Sequence, residues 1–132
     1  MKIAIRLWIC WGAALCLAAC SGSGTWSRKP EAKWRLTWEE LDRLAAAQRA
    51  LLERAFALSA PRGIILYVTC SLLRGENESV MADFFEAHPE CAELPARPEG
   101  PPFRRGRPWG TYIWPENPWL DGFYCAATMR LS

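Results

Sequence analysis

The run Ile64-Ile65-Leu66-Tyr67-Val68-Thr69-Cys70-Ser71 decides how the rest of this sequence reads. Its first five residues are apolar or aromatic, with no alternation of polar positions. Such a run predicts a strand covered on both faces, as in the parallel sheet of an α/β protein. Pro61-Arg62-Gly63 breaks the chain just before it. The run ends in Thr-Cys-Ser, which places Cys70 just outside the carboxyl end of a strand, where α/β folds put their ligands. A thiol there, followed by a loop and a helix N-terminus, has backbone donors and a helix dipole to favour its thiolate. The position also suits an inert buried cysteine that acts as a small hydrophobe.

Upstream, Thr37-Trp38-Glu39-Glu40 is a capping box that opens a helix ending at about residue 58. Its apolar stripe is Trp38, Leu41, Leu44, Ala45, Leu51, Leu52, Ala55, Phe56 and Leu58, spaced by threes and fours. Gln48 falls inside that stripe, and the ordinary reading gives its amide to neighbouring backbone. Downstream, a second helix is expected from about Glu76 to Ala87, with Val80, Met81, Phe84 and Phe85 inward and Pro89 just beyond. Residues 89–110, rich in Pro, Gly and Arg, read as an irregular loop. Thr111-Tyr112-Ile113-Trp114 and residues 122–130 read as two strands of a terminal antiparallel hairpin. The sum is an α/β chain: half of a doubly wound sheet with a hairpin appended.

The chain has 132 residues, 51% of them hydrophobic and 23% charged, which fits one domain and excludes a wholly disordered chain. A net charge of +2 gives no general steering toward a polyanion. Eight tryptophans need either a sizeable core or an exposed aromatic surface. The six cysteines, at 10, 16, 20, 70, 91 and 125, form no C-x-x-C pair, and His88 is the sole histidine, so no zinc site is expected. Their clustering favours a reduced, cytoplasmic chain over a disulfide scaffold.

The N-terminus offers a rival. Lys2 and Arg6 precede an uncharged stretch, 7–19, too short for a bilayer span of roughly 20 residues but proportioned like a signal segment. Leu17-Ala18-Ala19-Cys20 is similar to a bacterial lipoprotein signal, with Cys20 lipidated and Ser21-Gly22-Ser23-Gly24 a flexible tether to the membrane. The bland reading is a buried strand or helix followed by a turn.

Several stretches together settle the choice. Cys20-Ser21-Gly22-Ser23-Gly24-Thr25-Trp26, Arg28-Lys29-Pro30-Glu31-Ala32-Lys33-Trp34-Arg35, the helix with Gln48, Thr69-Cys70-Ser71 with Glu76-Asn77-Glu78, and Asp121-Gly122-Phe123-Tyr124 occur in this order. In this the chain closely resembles the C-terminal half of the RsmB/NOP/Sun-type RNA (cytosine-5) methyltransferases, from about residue 20 to the end. The resemblance implies a Rossmann-like fold that uses S-adenosyl-L-methionine to methylate C5 of cytosine in rRNA or tRNA. It makes Cys70 the nucleophile that attacks C6 and Cys20 the residue that helps release the product. Single-stranded or flipped cytosines are the expected targets. Arg28, Lys29, Lys33 and Arg35, interleaved with Trp26 and Trp34, then read as an RNA-binding stretch; the bland alternative is a solvated loop with its tryptophans in the core.

The family's Asp-Ala-Pro before the first cysteine stands here as Leu17, Ala18 and Ala19. Residues 1–19 are therefore expected to be a non-family segment, signal-like or frameshifted, and residues 20–132 a partial methyltransferase domain. The cofactor residues of this chain stay unassigned, and a separately encoded N-terminal half becomes the expected partner. Two other classes stand beside it. One is a membrane-anchored lipoprotein without catalysis, which would leave an odd cysteine in an oxidising compartment. The other is an unstable remnant whose uncovered sheet invites aggregation.

Overall fold

The structure is a computed structural model that describes residues 6–10, 13–17, 20–26, 30–94, 99–117 and 119–131. Its strands are β1 (Arg6–Cys10), β2 (Ala13–Leu17), β3 (Ile64–Thr69), β4 (Cys91–Leu94), β5 (Phe103–Arg105), β6 (Thr111–Ile113) and β7 (Phe123–Arg130). Two α-helices, α1 (Trp38–Leu58) and α2 (Glu78–Ala87), flank β3 in sequence. The strands form one mixed sheet in the order β1-β2-β3-β7-β6-β5. β2 and β3 run parallel, with Leu17 opposite Val68, and α1 makes the crossover between them. The remaining pairings are antiparallel. β7 is shared along one edge: Phe123 to Cys125 pair with β6, as the expected hairpin, and Ala127 to Arg130 pair with β4.

The capping box forms as the sequence reads. Thr37 Oγ1 accepts from the Glu40 N–H at 3.1 Å, satisfying one of the open donors of the first turn. Ala45, Leu51, Leu52 and Ala55 of α1, with Val80, Met81 and Phe84 of α2, then pack with Ile65, Tyr67, Tyr124 and Ala126 in one core, and Leu44 is buried beside them on α1. Trp38 and Leu58 depart from the expected stripe. They stand at the first and last positions of the 21-residue helix and are exposed, outside the buried stretch from Leu44 to Ala55.

The main departure concerns β3. Its burial alternates: Ile65, Tyr67 and Thr69 are buried, Leu66 and Val68 are only partly so, and Ile64 is exposed. β7 repeats the pattern, burying Tyr124, Ala126 and Thr128 while Phe123, Cys125, Ala127 and Met129 are partly exposed. Both described helices cover one face. The apolar run fits two covering layers, and the described residues provide one.

Three smaller expectations change. Residues 89–110 are not wholly irregular, since they contain β4 and β5. Both are too short to show a period, and are held by main-chain pairing and by Arg105, whose guanidinium grips the Glu93 carboxylate at 2.8 and 2.9 Å. Residues 21–36 are not simply a loop but include short 3-10 helices at Ser23–Thr25 and Pro30–Arg35. The second helix starts at Glu78, after a tight turn at Arg74–Glu76.

Candidate active site

Parallel pairing of β2 and β3 brings two motifs to one edge of the sheet. Cys20 follows the end of β2 by three residues, and Cys70 immediately follows β3. Their sulfurs approach to 2.6 Å. The turn after Cys20 is locked to both neighbours. Gly24 N–H donates to the Cys70 carbonyl at 2.9 Å, and Gly122 N–H donates to the Gly24 carbonyl at 2.7 Å. Ser23 Oγ accepts from Leu72 N–H at 2.7 Å and bonds Ser71 Oγ at 3.1 Å. A Cβ on Gly24 would stand 2.1 Å from the Gly122 oxygen and 2.8 Å from the Cys70 oxygen, so glycine is required there by contact. Residues 21–24 are therefore a packed turn, with Ser23 and Gly24 buried, and not the flexible tether of the lipoprotein reading.

The two thiols polarise each other. Cys70 is drawn down to about 7, chiefly by the hydrogen bond from the Cys20 thiol; burial opposes this, a backbone hydrogen bond assists, and the charges of Glu76 and Asp121 oppose. Cys20 is pushed strongly up, first by the same hydrogen bond and then by burial. Near neutrality Cys20 keeps its proton and donates to a Cys70 thiolate. The thiolate thus owes its stability mainly to the partner thiol, not to the expected helix N-terminus, because α2 begins only at Glu78. Cys91 and Cys125 are also free, and burial raises both. Cys70 is half-buried, open enough for a thiol reaction.

Beneath the sulfurs lies a polar layer that sequence reasoning did not assign. Glu76, Asn77 and Glu78 are all buried. Glu76 accepts from Ser21, Ser71 and Gln48, the last through Nε2 at 3.2 Å. Gln48 thus serves a side-chain carboxylate rather than neighbouring backbone alone. Asn77 Nδ2 donates to the Ser71 carbonyl at 2.8 Å, and Thr69 Oγ1 donates to Asn77 Oδ1 at 2.6 Å, which fixes the Thr-Cys-Ser turn from both sides. Glu78 accepts from Tyr112 Oη at 2.5 Å and Arg107 N–H at 2.6 Å, joining the hairpin to the site. The available signal was three adjacent polar residues leading into a helix whose next positions are apolar, together with Gln48 inside an apolar stripe.

Residues 10–129 match the family model described as 16S rRNA methyltransferase RsmB/F. The chain belongs to this family. Ribosomal RNA small subunit methyltransferase B of Thermus thermophilus is 38% identical over 115 residues, which are 87% of this chain and 28% of that protein. The crystal structure of PH0851 superposes with a TM-score of 0.80 at 34% identity, over 89% of this chain and 26% of that one. NSun6 from Pyrococcus horikoshii, solved with SFG, shares the fold at a TM-score of 0.72 and 21% identity, over 91% of this chain and 31% of that one. The chain therefore spans between a quarter and a third of the length of these relatives. Its architecture is the C-terminal part of a Rossmann-like methyltransferase fold.

The remaining positions read from the RsmB/F likeness divide. Leu17 ends β2, with no carboxylate where the family's aspartate belongs. Arg28 and Lys29 lie outside the described residues. Lys33 and Arg35 are exposed on the Pro30–Arg35 turn, with Lys33 Nζ 4.9 Å over the Trp34 ring. Trp34 is 82% exposed, so it is not packed in the core. Lys33, but not Arg35, borders a cleft of about 550 Å³ next to the cysteine loops, walled by Trp26, Trp38, Leu41 and Leu73 and flanked by Arg74.

Proposed function

We propose that this chain carries the thiol chemistry of an RNA (cytosine-5) methyltransferase, with Cys70 as nucleophile and Cys20 as the residue of product release. The Cys20–Cys70 sulfur pair at 2.6 Å carries this reading. A Cys70 thiolate adds to C6 of a cytosine. A C6–S bond forms, the C5–C6 π pair moves to C5, and C5 becomes the nucleophile that receives a methyl group. Loss of the C5 proton then restores the double bond and expels the Cys70 sulfur. The Cys20 S–H stabilises that sulfur as an anion, which favours both its attack and its departure.

S-adenosyl-L-methionine is the methyl donor in this reading, but the described residues do not fit it. The carboxylate bound beneath the sulfurs, Glu76, is already engaged by Ser21, Ser71 and Gln48. The adjoining cleft is largely apolar, and its Lys33 and Arg74 are balanced by Asp42 and Glu76, so it offers no dedicated set of donors and acceptors for the cofactor. We assign the cofactor to residues beyond those described. The expected boundary at residue 20 is too late, because the family match begins at residue 10 and β2 pairs with β3 inside the sheet. The half-covered sheet face at Leu66, Val68 and Phe123 leaves room for a further layer. The indoles of Trp26 and Trp38 beside Lys33 support an RNA strand in the cleft. Arg28, Lys29 and Arg35, which do not line it, are assigned to phosphates on the family likeness alone. A cytoplasmic enzyme acting on rRNA or tRNA follows from the same reading.

The test uses the chain fused to an N-terminal methyltransferase half, with 5-fluorocytosine RNA and S-adenosylmethionine. A covalent adduct resistant to denaturation is expected, absent in Cys70→Ala. In Cys20→Ala the adduct accumulates on unmodified RNA as well. An adduct that survives Cys70→Ala overturns the assignment.

A further inference from the structure

Glu76 is 1% exposed, in the turn between β3 and α2. Its Oε1 accepts from Ser21 N–H at 2.7 Å and from Gln48 Nε2 at 3.2 Å. Its Oε2 accepts from Ser21 Oγ at 2.6 Å and from Ser71 Oγ. The donors come from three separate segments: the residue after Cys20, the residue after Cys70, and α1. None of these bonds reaches a sulfur.

We propose that Glu76 is a positioning residue that sets the distance between Cys20 and Cys70 by gripping the residue that follows each of them. This inference rests on the reading of the two cysteines as a working pair. One rigid carboxylate binds Ser21 and Ser71 together, so the adjoining α-carbons, and the thiols they carry, are held at a fixed spacing. Charge-assisted bonds of this kind are the strong ones, and burial removes the water that would compete for them. The charge of Glu76 by itself works against a thiolate on either cysteine. Its service to Cys70 therefore runs through geometry, by keeping the Cys20 S–H in contact with the Cys70 sulfur. Loss of the grip and loss of the charge then act on Cys70 in opposite directions. A residue that only supports the fold changes the amount of folded protein and leaves the acidity of Cys70 in the folded fraction unmoved.

The experiment follows alkylation of Cys70 by iodoacetamide against pH in the full 132-residue chain, read by peptide mass spectrometry, with dibromobimane bridging of Cys20 and Cys70 as a second readout. In Glu76→Ala the midpoint is expected to rise toward the ordinary thiol value. A one-unit rise lowers the rate at pH 7 by roughly fivefold, because the parent thiol is only about half ionised there, and bridging is lost. In Glu76→Gln, which keeps an acceptor for the Ser21 N–H but removes the charge, the midpoint stays at or below that of the parent chain. A folded Glu76→Ala chain with an unmoved midpoint and intact bridging overturns the proposal. If Glu76→Ala does not fold, Ser21→Ala decides, since it removes one hydroxyl arm of the grip. A smaller rise is expected, and no rise overturns the proposal. None of these readouts uses RNA, so a failure to trap RNA would strike the nucleophile assignment and leave this one standing.

Discussion

The two faces of the sheet differ sharply. On the face beneath α1 and α2, Ile65 and Tyr67 of β3 and Tyr124 and Ala126 of β7 are nearly inaccessible. On the opposite face Leu66, Val68, Cys125 and Ala127 keep partial contact with solvent, and Ile64 is 36% exposed. Both sets come from the same strands and alternate residue by residue. The difference shows that this chain's own helices organise one layer, while the apolar residues of the other layer are suited to something that covers them.

The largest expected effect tests that asymmetry directly. Ile65→Ala should cost about 2–5 kcal/mol of stability, as large-to-small changes in a closed core do. Val68→Ala, on the open face, should cost under about 1 kcal/mol. Urea denaturation of both variants checks this, and equal losses would mean that the open face is as well packed as the covered one.

The second effect compares cysteines across the same divide. Cys70, drawn down to about 7, should be alkylated at neutral pH at least tenfold faster than Cys125, which sits half-exposed in β7 with its thiol pushed up by burial. The thiolate is the deprotonated form, so Cys70 reactivity should be low below pH 7, rise through it and level off above. Residue-resolved mass spectrometry gives the profile. A rise at Cys70 that follows Cys125 would remove the thiol–thiolate pair. The smallest effect is Ala127→Lys on the open face, which should change stability by less than about 0.5 kcal/mol. A large loss in a thermal melt would show that this face is already closed.

The sequence was most legible where local chemistry and period agree. The Thr37 cap, the α1 stripe from Leu44 to Ala55 and the β6–β7 hairpin all read correctly, because each is fixed by neighbours a few residues away. β4 was illegible, since Cys91-Ala92-Glu93-Leu94 owes its strand form to β7, more than thirty residues on. The ends of the α1 stripe misled because apolar spacing shows which side of a helix faces inward, not how far along that side burial extends. At the site, Cys70 was visible from its place at a strand end and Cys20 from the motif around it. Their contact was not, because it arises from the parallel register of β2 with β3. Glu76 was hidden for a related reason: its partners at 21, 48 and 71 are distant in sequence, and an acidic residue before a helix ordinarily reads as a solvated one.

Gly24 carries one last consequence. Its amide meets the Cys70 carbonyl and its carbonyl meets the Gly122 amide, so the first cysteine loop, the second cysteine loop and the entry to β7 close on one another in a single step. A disturbance at the entry to β7 is therefore passed, through two main-chain hydrogen bonds, to the backbone that carries the acidic thiol.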